Sequence, residues 1–250
     1  MWLYVDHRAS DEHVIPRYAP ARAATTAVVP DVRDVLDPAP PVPDAAWEDE
    51  YRGQRVRAER SAGETTYTLV ASGKTFDSAH EMRLSLNTTL FTKNTKIDDP
   101  DLIATYASVD RDQNGDISWE EVQRFQSWLE QNFRYESNSR ALRPDEFVRA
   151  GGGDCEDWSL MTAGMLRFWG IPVYVGSLTS REGRHAIALV ETEHIPRAGH
   201  PIDISPGGAL RAGRYVPIDY DHVGRLSNAV SGSYTMNWIR VPEELYGLPL

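Results

Sequence analysis

GDCEDWSLMTAGMLRFWGIPVYV, residues 153–175, is the stretch on which the reading of this chain turns. It predicts a helix from Cys155 to Trp169, stopped by Gly170 with Pro172 two residues further on, a strong helix-end signal. Cys155, the single cysteine, then stands in the first turn. There the unpaired N–H groups and the positive end of the helix dipole meet a negative sulfur favourably. Gly151, Gly152 and Gly153 let backbone approach a substrate closely, and the Cys155 N–H is a candidate oxyanion donor.

A nucleophilic cysteine needs a base, and the base needs an orienting acceptor. Beyond Pro172 the apolar period changes to two, at Val173 and Val175, at His185, Ile187 and Leu189, and at Tyr215 and Pro217 before Asp219. Helices followed by strands predict an α+β domain with an antiparallel sheet. Adjacent strands would bring His185, the candidate base, to Asp219, the candidate orienter. His194 and His200 are rivals for the first role; Asp203 and Asp221 are rivals for the second. Asp154, Glu156 and Asp157 read as helix caps, with a second cation beside the thiol as the other reading.

These blocks resemble the transglutaminase-like superfamily. Its pattern is a GDCxD helix ending in GIP, then a His strand, then a strand ending in Asp, which HAIALVE and RYVPIDY match in order. The approach through Trp128–Tyr135 and RPDEFVRAGGGD is similar too, so the resemblance spans about residues 120 to 225. It implies a papain-like fold, with Cys155 as nucleophile, His185 as base and Asp219 as its orienter. Tyr135 is an additional candidate oxyanion donor. Among relatives the chain looks most like bacterial transglutaminase-like cysteine peptidases, whereas others cross-link Gln to Lys or act as amidases.

A second motif lies upstream. Residues 110–121, DRDQNGDISWEE, fit a twelve-residue EF-hand calcium loop. Asp110, Asp112 and Asn114 would supply oxygens, Gly115 the sharp turn, Asp116 its carbonyl, Ser118 a direct or water-mediated ligand, and Glu121 a bidentate carboxylate. Ile117 occupies the position that forms a short strand in such loops. Helices are predicted on both sides: Asp99–Val109, with Asp99 as N-cap and Pro100 just inside, and Trp119–Phe133, whose apolar residues share one face. No second loop is apparent, which suggests weaker affinity or a structural ion. The cofactor expected is Ca2+.

Other elements are a strand over Thr65–Val70 and helices over Ser78–Phe91 and Pro144–Ala150. Between Pro16 and Ala45 lie seven of the 16 prolines. Such a stretch is extended and cannot bury a core alone. The chain is thus read as an arm (1–46), a strand and helix segment (47–98), the EF-hand (99–133) and a catalytic domain (134–250). The arm is a linker or surface strap, or a segment that docks on a partner.

The formal charge of −11 makes the chain a poor generic binder of nucleic acid or anionic membrane. One cysteine cannot form an internal disulfide. No stretch approaches the roughly 18 apolar residues that would span a bilayer, and the N-terminus has no signal-peptide core. The compartment stays open, because a processed chain would look the same. The partner expected is a protein or peptide substrate. The activity expected first is Cys-His-Asp hydrolysis, as a peptidase or amidase. Transglutaminase cross-linking is the alternative within enzymes, and a catalytically idle assembly module is the alternative outside them.

Overall fold

The computed structural model describes residues 45–181, 183–195, 198–204, 213–220 and 234–246. The Pro/Ala-rich arm therefore lies outside the described residues, except for Ala45 and Ala46, which open the first strand. Strands β1 (Ala45–Tyr51), β2 (Gln54–Ser61), β3 (Glu64–Leu69) and β4 (Thr75–Phe76) form an antiparallel meander in that order. Val56 and Ala58 of β2 alternate inward between exposed charges, the period-two pattern of a half-buried strand. Helix α1 (Ala79–Thr95) covers this face and joins Met82 and Leu86 to Val56, Leu69 and Phe76.

Ser78 caps α1 by accepting from the Glu81 amide. The helix runs four residues past the expected Phe91. Thr95 supports that extra turn: its hydroxyl donates to the Phe91 carbonyl and accepts from the Ile97 amide, while Lys96 ends the helix at φ 60°. Helix α2 (Pro100–Ala107) has Asp99 as N-cap, accepting from the Asp101 and Leu102 amides. Helix α3 (Trp119–Asn132) begins on a reciprocal cap between Ser118 and Glu121. The two-residue strand β5 (Arg134–Tyr135), helix α4 (Pro144–Ala150) and strand β6 (Gly152–Gly153) lead to α5 (Cys155–Phe168).

Helix α5 is buried almost all round, which marks it as the centre of the molecule and not a surface helix. Leu160, Met161, Met165 and Leu166 are fully buried, each worth about 1.5–3 kcal/mol of burial. It packs on β7 (Val173–Ser180) and β8 (Gly183–Glu191), to which β9 (Ile202–Ile204), β10 (Gly213–Ile218) and β11 (Thr235–Arg240) add in the order β11-β7-β8-β10-β9. Every pairing in this sheet is antiparallel. The architecture is the expected α+β, papain-like one: a cysteine-bearing helix on an antiparallel sheet. Among the described residues, no helix is long and apolar enough to cross a membrane.

One contact ties the meander to α5. In the β1–β2 turn Arg52 adopts φ 50° and Gly53 φ 76°, a left-handed pair that is costly for a non-glycine residue. The Arg52 guanidinium donates to the Phe168 carbonyl at 3.0 Å, the Arg167 carbonyl at 3.4 Å and Asn87 Oδ1 at 2.8 Å. The two carbonyls belong to the last turn of α5, where intrahelical partners run out.

Candidate active site and cation loop

The approach to the thiol is a backbone construction. β5 and β6 pair in parallel, with Tyr135 opposite Gly153, and the Glu136 amide donates to the Gly153 carbonyl at 3.0 Å. Gly152 sits at φ 152°, and a Cβ there would collide with the Arg134 carbonyl. Only glycine permits this close approach. Asp154 then caps α5, accepting from the Glu156 amide at 3.1 Å, and Cys155 becomes the first helical residue, partly buried. Its N–H belongs to the set that has no acceptor within the helix.

His185, near the start of β8, and Asp219, just past β10, meet because those strands are neighbours with Ala188 opposite Ile218. His185 Nε2 lies 2.7 Å from Asp219 Oδ1, and Asp219 is 1% exposed. With Nε2 so engaged, the hydrogen bond between His185 and Cys155 falls to the other ring nitrogen. Burial alone would lower the imidazole pKa, but the Asp219 carboxylate and Cys155 outweigh it and raise it to about 10. The ring thus holds a proton across neutral pH.

Tyr135 is 48% exposed, yet its hydroxyl is hydrogen-bonded to Cys155. Burial, then the charges of Cys155 and Asp154, hold its phenol well above the usual range, so it remains a donor. The structure therefore brings Cys155, His185, Asp219 and Tyr135 together. The rivals stand elsewhere. Asp203 is on β9, its side chain 83% exposed beside Arg214, and His194 is beyond the far end of β8 from His185, beside Glu191 and Glu193. His200 is exposed, and Asp221 lies outside the described residues.

Two of the three acids around Cys155 serve as caps. Asp157 accepts from the Asp154 amide at 2.9 Å, the Leu142 amide at 2.6 Å and Asn138 Nδ2. Burial pushes its carboxyl up to about 6, against the pull of the Leu142 amide and with the push of the Asp154 charge. Glu156 is 7% exposed and is pushed up to about 7, by burial first and then by Asp154 and Asp157. A carboxyl raised in the folded state favours folding below the ordinary carboxylate range and loses that contribution as pH rises through about 7. In calcium-free buffer Glu156→Gln is therefore expected to melt several degrees above wild type at pH 8 and level with it at pH 4. Calorimetry at both pH values checks this; equal melting at pH 8 would refute it.

The loop from 110 to 121 joins α2 to α3. One oxygen each of Asp110, Asp112 and Glu121 lies within 4.8 Å of the others, and Asp110 and Glu121 are each 3% exposed. Gly115 at φ 84° makes the turn and its amide donates to Asp110 Oδ2 at 2.8 Å. Glu121 accepts from the Arg111 amide at 2.8 Å and the Ser118 amide at 2.9 Å. Asn114 and Asp116 are exposed, and Ser118 is half-buried as the N-cap of α3. Two buried carboxylates and an exposed third around a turn are an oxygen donor set suited to a hard divalent cation. One expectation fails: Ile117 is buried but lies in no strand. A lone loop offers it no partner strand to pair with.

Sequence reasoning missed the neighbours of this loop. His80 Nδ1 of α1 lies 2.9 Å from Asp110 Oδ2, and its ring tilts against Trp169 at 6.2 Å. Arg83 donates to the Asn114 carbonyl at 3.2 Å and to Asp116 Oδ1 at 3.1 Å. An open groove of about 340 Å³ between α2 and α3 shares none of its lining, Val109, Arg124, Phe125 and Trp128 among it, with the Cys155 group.

Residues 104–195 match the profile of the transglutaminase-like superfamily, a segment that includes the loop, Cys155 and His185 and stops short of Asp219. Among solved structures, LapG of Legionella pneumophila is similar in its calcium-bound form, at 14% identity and a TM-score of 0.39, over 67% of this chain and 93% of that one. Its EGTA-treated form is similar at 16% identity and a TM-score of 0.38, over 64% and 80%. A candidate cysteine protease from Cytophaga hutchinsonii is similar at 12% identity and a TM-score of 0.33, over 79% and 74%. No curated protein matches the chain.

Proposed function

We propose that the protein is a transglutaminase-like cysteine hydrolase, a peptidase or amidase acting on a protein or peptide. One observation carries the reading: a thiol at a helix start hydrogen-bonded to His185, whose Nε2 is held at 2.7 Å by the buried Asp219. His185 already carries the proton of the Cys155–His185 pair, and the sulfur attacks the carbonyl carbon. The oxyanion faces the Cys155 N–H and the Tyr135 hydroxyl. Collapse expels the amine, which takes the proton from His185, and leaves a thioester. Water then gives a proton to His185 as its oxygen attacks, and the acid leaves with the proton again on His185.

Calcium completes the reading at the 110–121 loop, held by Asp110, Asp112, Asn114, Ser118, Glu121 and the Asp116 carbonyl. Its charge would pin the start of α3 to the end of α2. A second cation beside the thiol is favoured by one observation. Asn138 Oδ1 is buried without a hydrogen-bond partner, while its Nδ2 holds Asp157 next to Glu156 and Asp154. Its mark is a calcium-dependent melting shift that survives Glu121→Gln.

Iodoacetamide tests the main reading. Wild type is expected to alkylate at Cys155 at neutral pH, Cys155→Ala not at all, and His185→Ala about a hundredfold more slowly. An inert wild-type thiol would favour the idle assembly module. Incorporation of a labelled amine in place of water release would make the enzyme a transglutaminase.

A further inference from the structure

Tyr220 follows Asp219, and nothing in its residue type announces chemistry. Its backbone N–H donates at 2.9 Å to Asp219 Oδ1, the same oxygen that meets His185 Nε2. Its ring touches three others at once. The Tyr135 ring lies 4.8 Å away at 35°, Trp158 lies 6.0 Å away at 57°, and His185 is edge-on at 6.2 Å and 66°. Those rings come from β5, α5 and β8, so three elements of the site converge on the Tyr220 side chain.

We propose that Tyr220 is a positioning residue for the Cys155 group, its ring holding the Tyr135 hydroxyl on the thiol and the His185 ring in line between Cys155 and Asp219. The proposal rests on the acyl-transfer reading. His185 keeps both hydrogen bonds only while its ring plane contains Cys155 and Asp219, and an edge-on neighbour restricts rotation out of that plane. Tyr135 projects from a two-residue strand and is half-exposed, and Tyr220 is its aromatic neighbour among the described residues. Offset and edge-to-face ring pairs of this kind favour defined geometry over simple apolar contact. The amide bond to Asp219 survives any side-chain change, so a substitution isolates the ring.

The test is the second-order rate of Cys155 alkylation by iodoacetamide from pH 5 to pH 9, with melting temperature measured alongside. Tyr220→Phe is expected to stay within about twofold of wild type at every pH, because the ring is kept. Tyr220→Ala is expected to react about tenfold more slowly near neutral pH, with its profile displaced toward that of His185→Ala. Tyr220→Leu fills more of the same space and gives the same comparison should Tyr220→Ala not fold. Wild-type rate and profile in the folded Ala or Leu variant overturn the proposal. A Phe variant as slow as Ala also overturns it, by moving the role to the hydroxyl. An inert wild type defeats the acyl-transfer reading and this one together; a reactive wild type indifferent to Tyr220 defeats this one alone.

Discussion

Asp219→Asn is expected to lower turnover by about 10³–10⁴-fold while leaving the fold in place. The substitution keeps the shape of a side chain that is 1% exposed and removes its charge. Two consequences follow for His185. The amide no longer fixes the orientation of the ring toward Cys155, and the imidazolium loses its buried counter-charge. The direction of the pKa change is fixed by the balance seen in the structure. Burial lowers the imidazole, while Asp219 and Cys155 raise it to about 10. With Asp219 neutralised the burial cost gains, so the His185 titration observed by NMR should move down from about 10. The rate of Cys155 alkylation should fall in parallel. An unchanged His185 titration in Asp219→Asn would show that the short contact to Asp219 does not govern the base.

Chelation is expected to lower the melting temperature by about 5–10 °C when calcium had been present at a hundredfold excess over Kd, the equivalent of about 2.7 kcal/mol. The loop joins helices that pack into the same core as α5, through Leu102, Tyr106, Val122 and Leu129, so loss of the ion is felt by the whole domain. Glu121→Gln supplies the control. An amide in place of the carboxylate sets a donor against either the Arg111 or the Ser118 amide, so the variant starts less stable. Its melting should then no longer respond to calcium at the loop, and any shift that remains measures the second cation beside the thiol. Because α3 ends two residues before Arg134, calcium removal should also slow Cys155 alkylation by loosening Tyr135. A melting temperature and alkylation rate indifferent to chelator would remove calcium from the account.

The helices were legible because their signals are local. Asp99 and Asp154 are caps that sequence spacing reveals, and the apolar face of α3 repeats at helical period. The Cys155, His185 and Asp219 blocks were legible through order along the chain. The β1–β2 hairpin was not. Its outer strand is exposed on nearly every residue, and it is held by neighbouring strand bonds and by Arg55 and Arg57 on Glu48, so no apolar alternation announces it. Tyr220, His80, Arg83 and Asn138 stayed hidden for a different reason. Each acts through a partner on another element, His80 and Arg83 on a loop about thirty residues away, and a residue type carries no trace of such a meeting.

The Arg52 clasp gives the meander a wider meaning. The segment resembling the superfamily begins at residue 104, yet the last carbonyls of α5 are answered from residue 52, by a side chain whose own backbone is strained to reach them. Cys155 sits at the opposite end of that same rod, so whatever steadies Phe168 also steadies Cys155. The unit that folds is therefore larger than the unit that is recognisable. A helix whose front carries the candidate nucleophile is anchored from behind by a part of the chain that lies outside the recognisable segment.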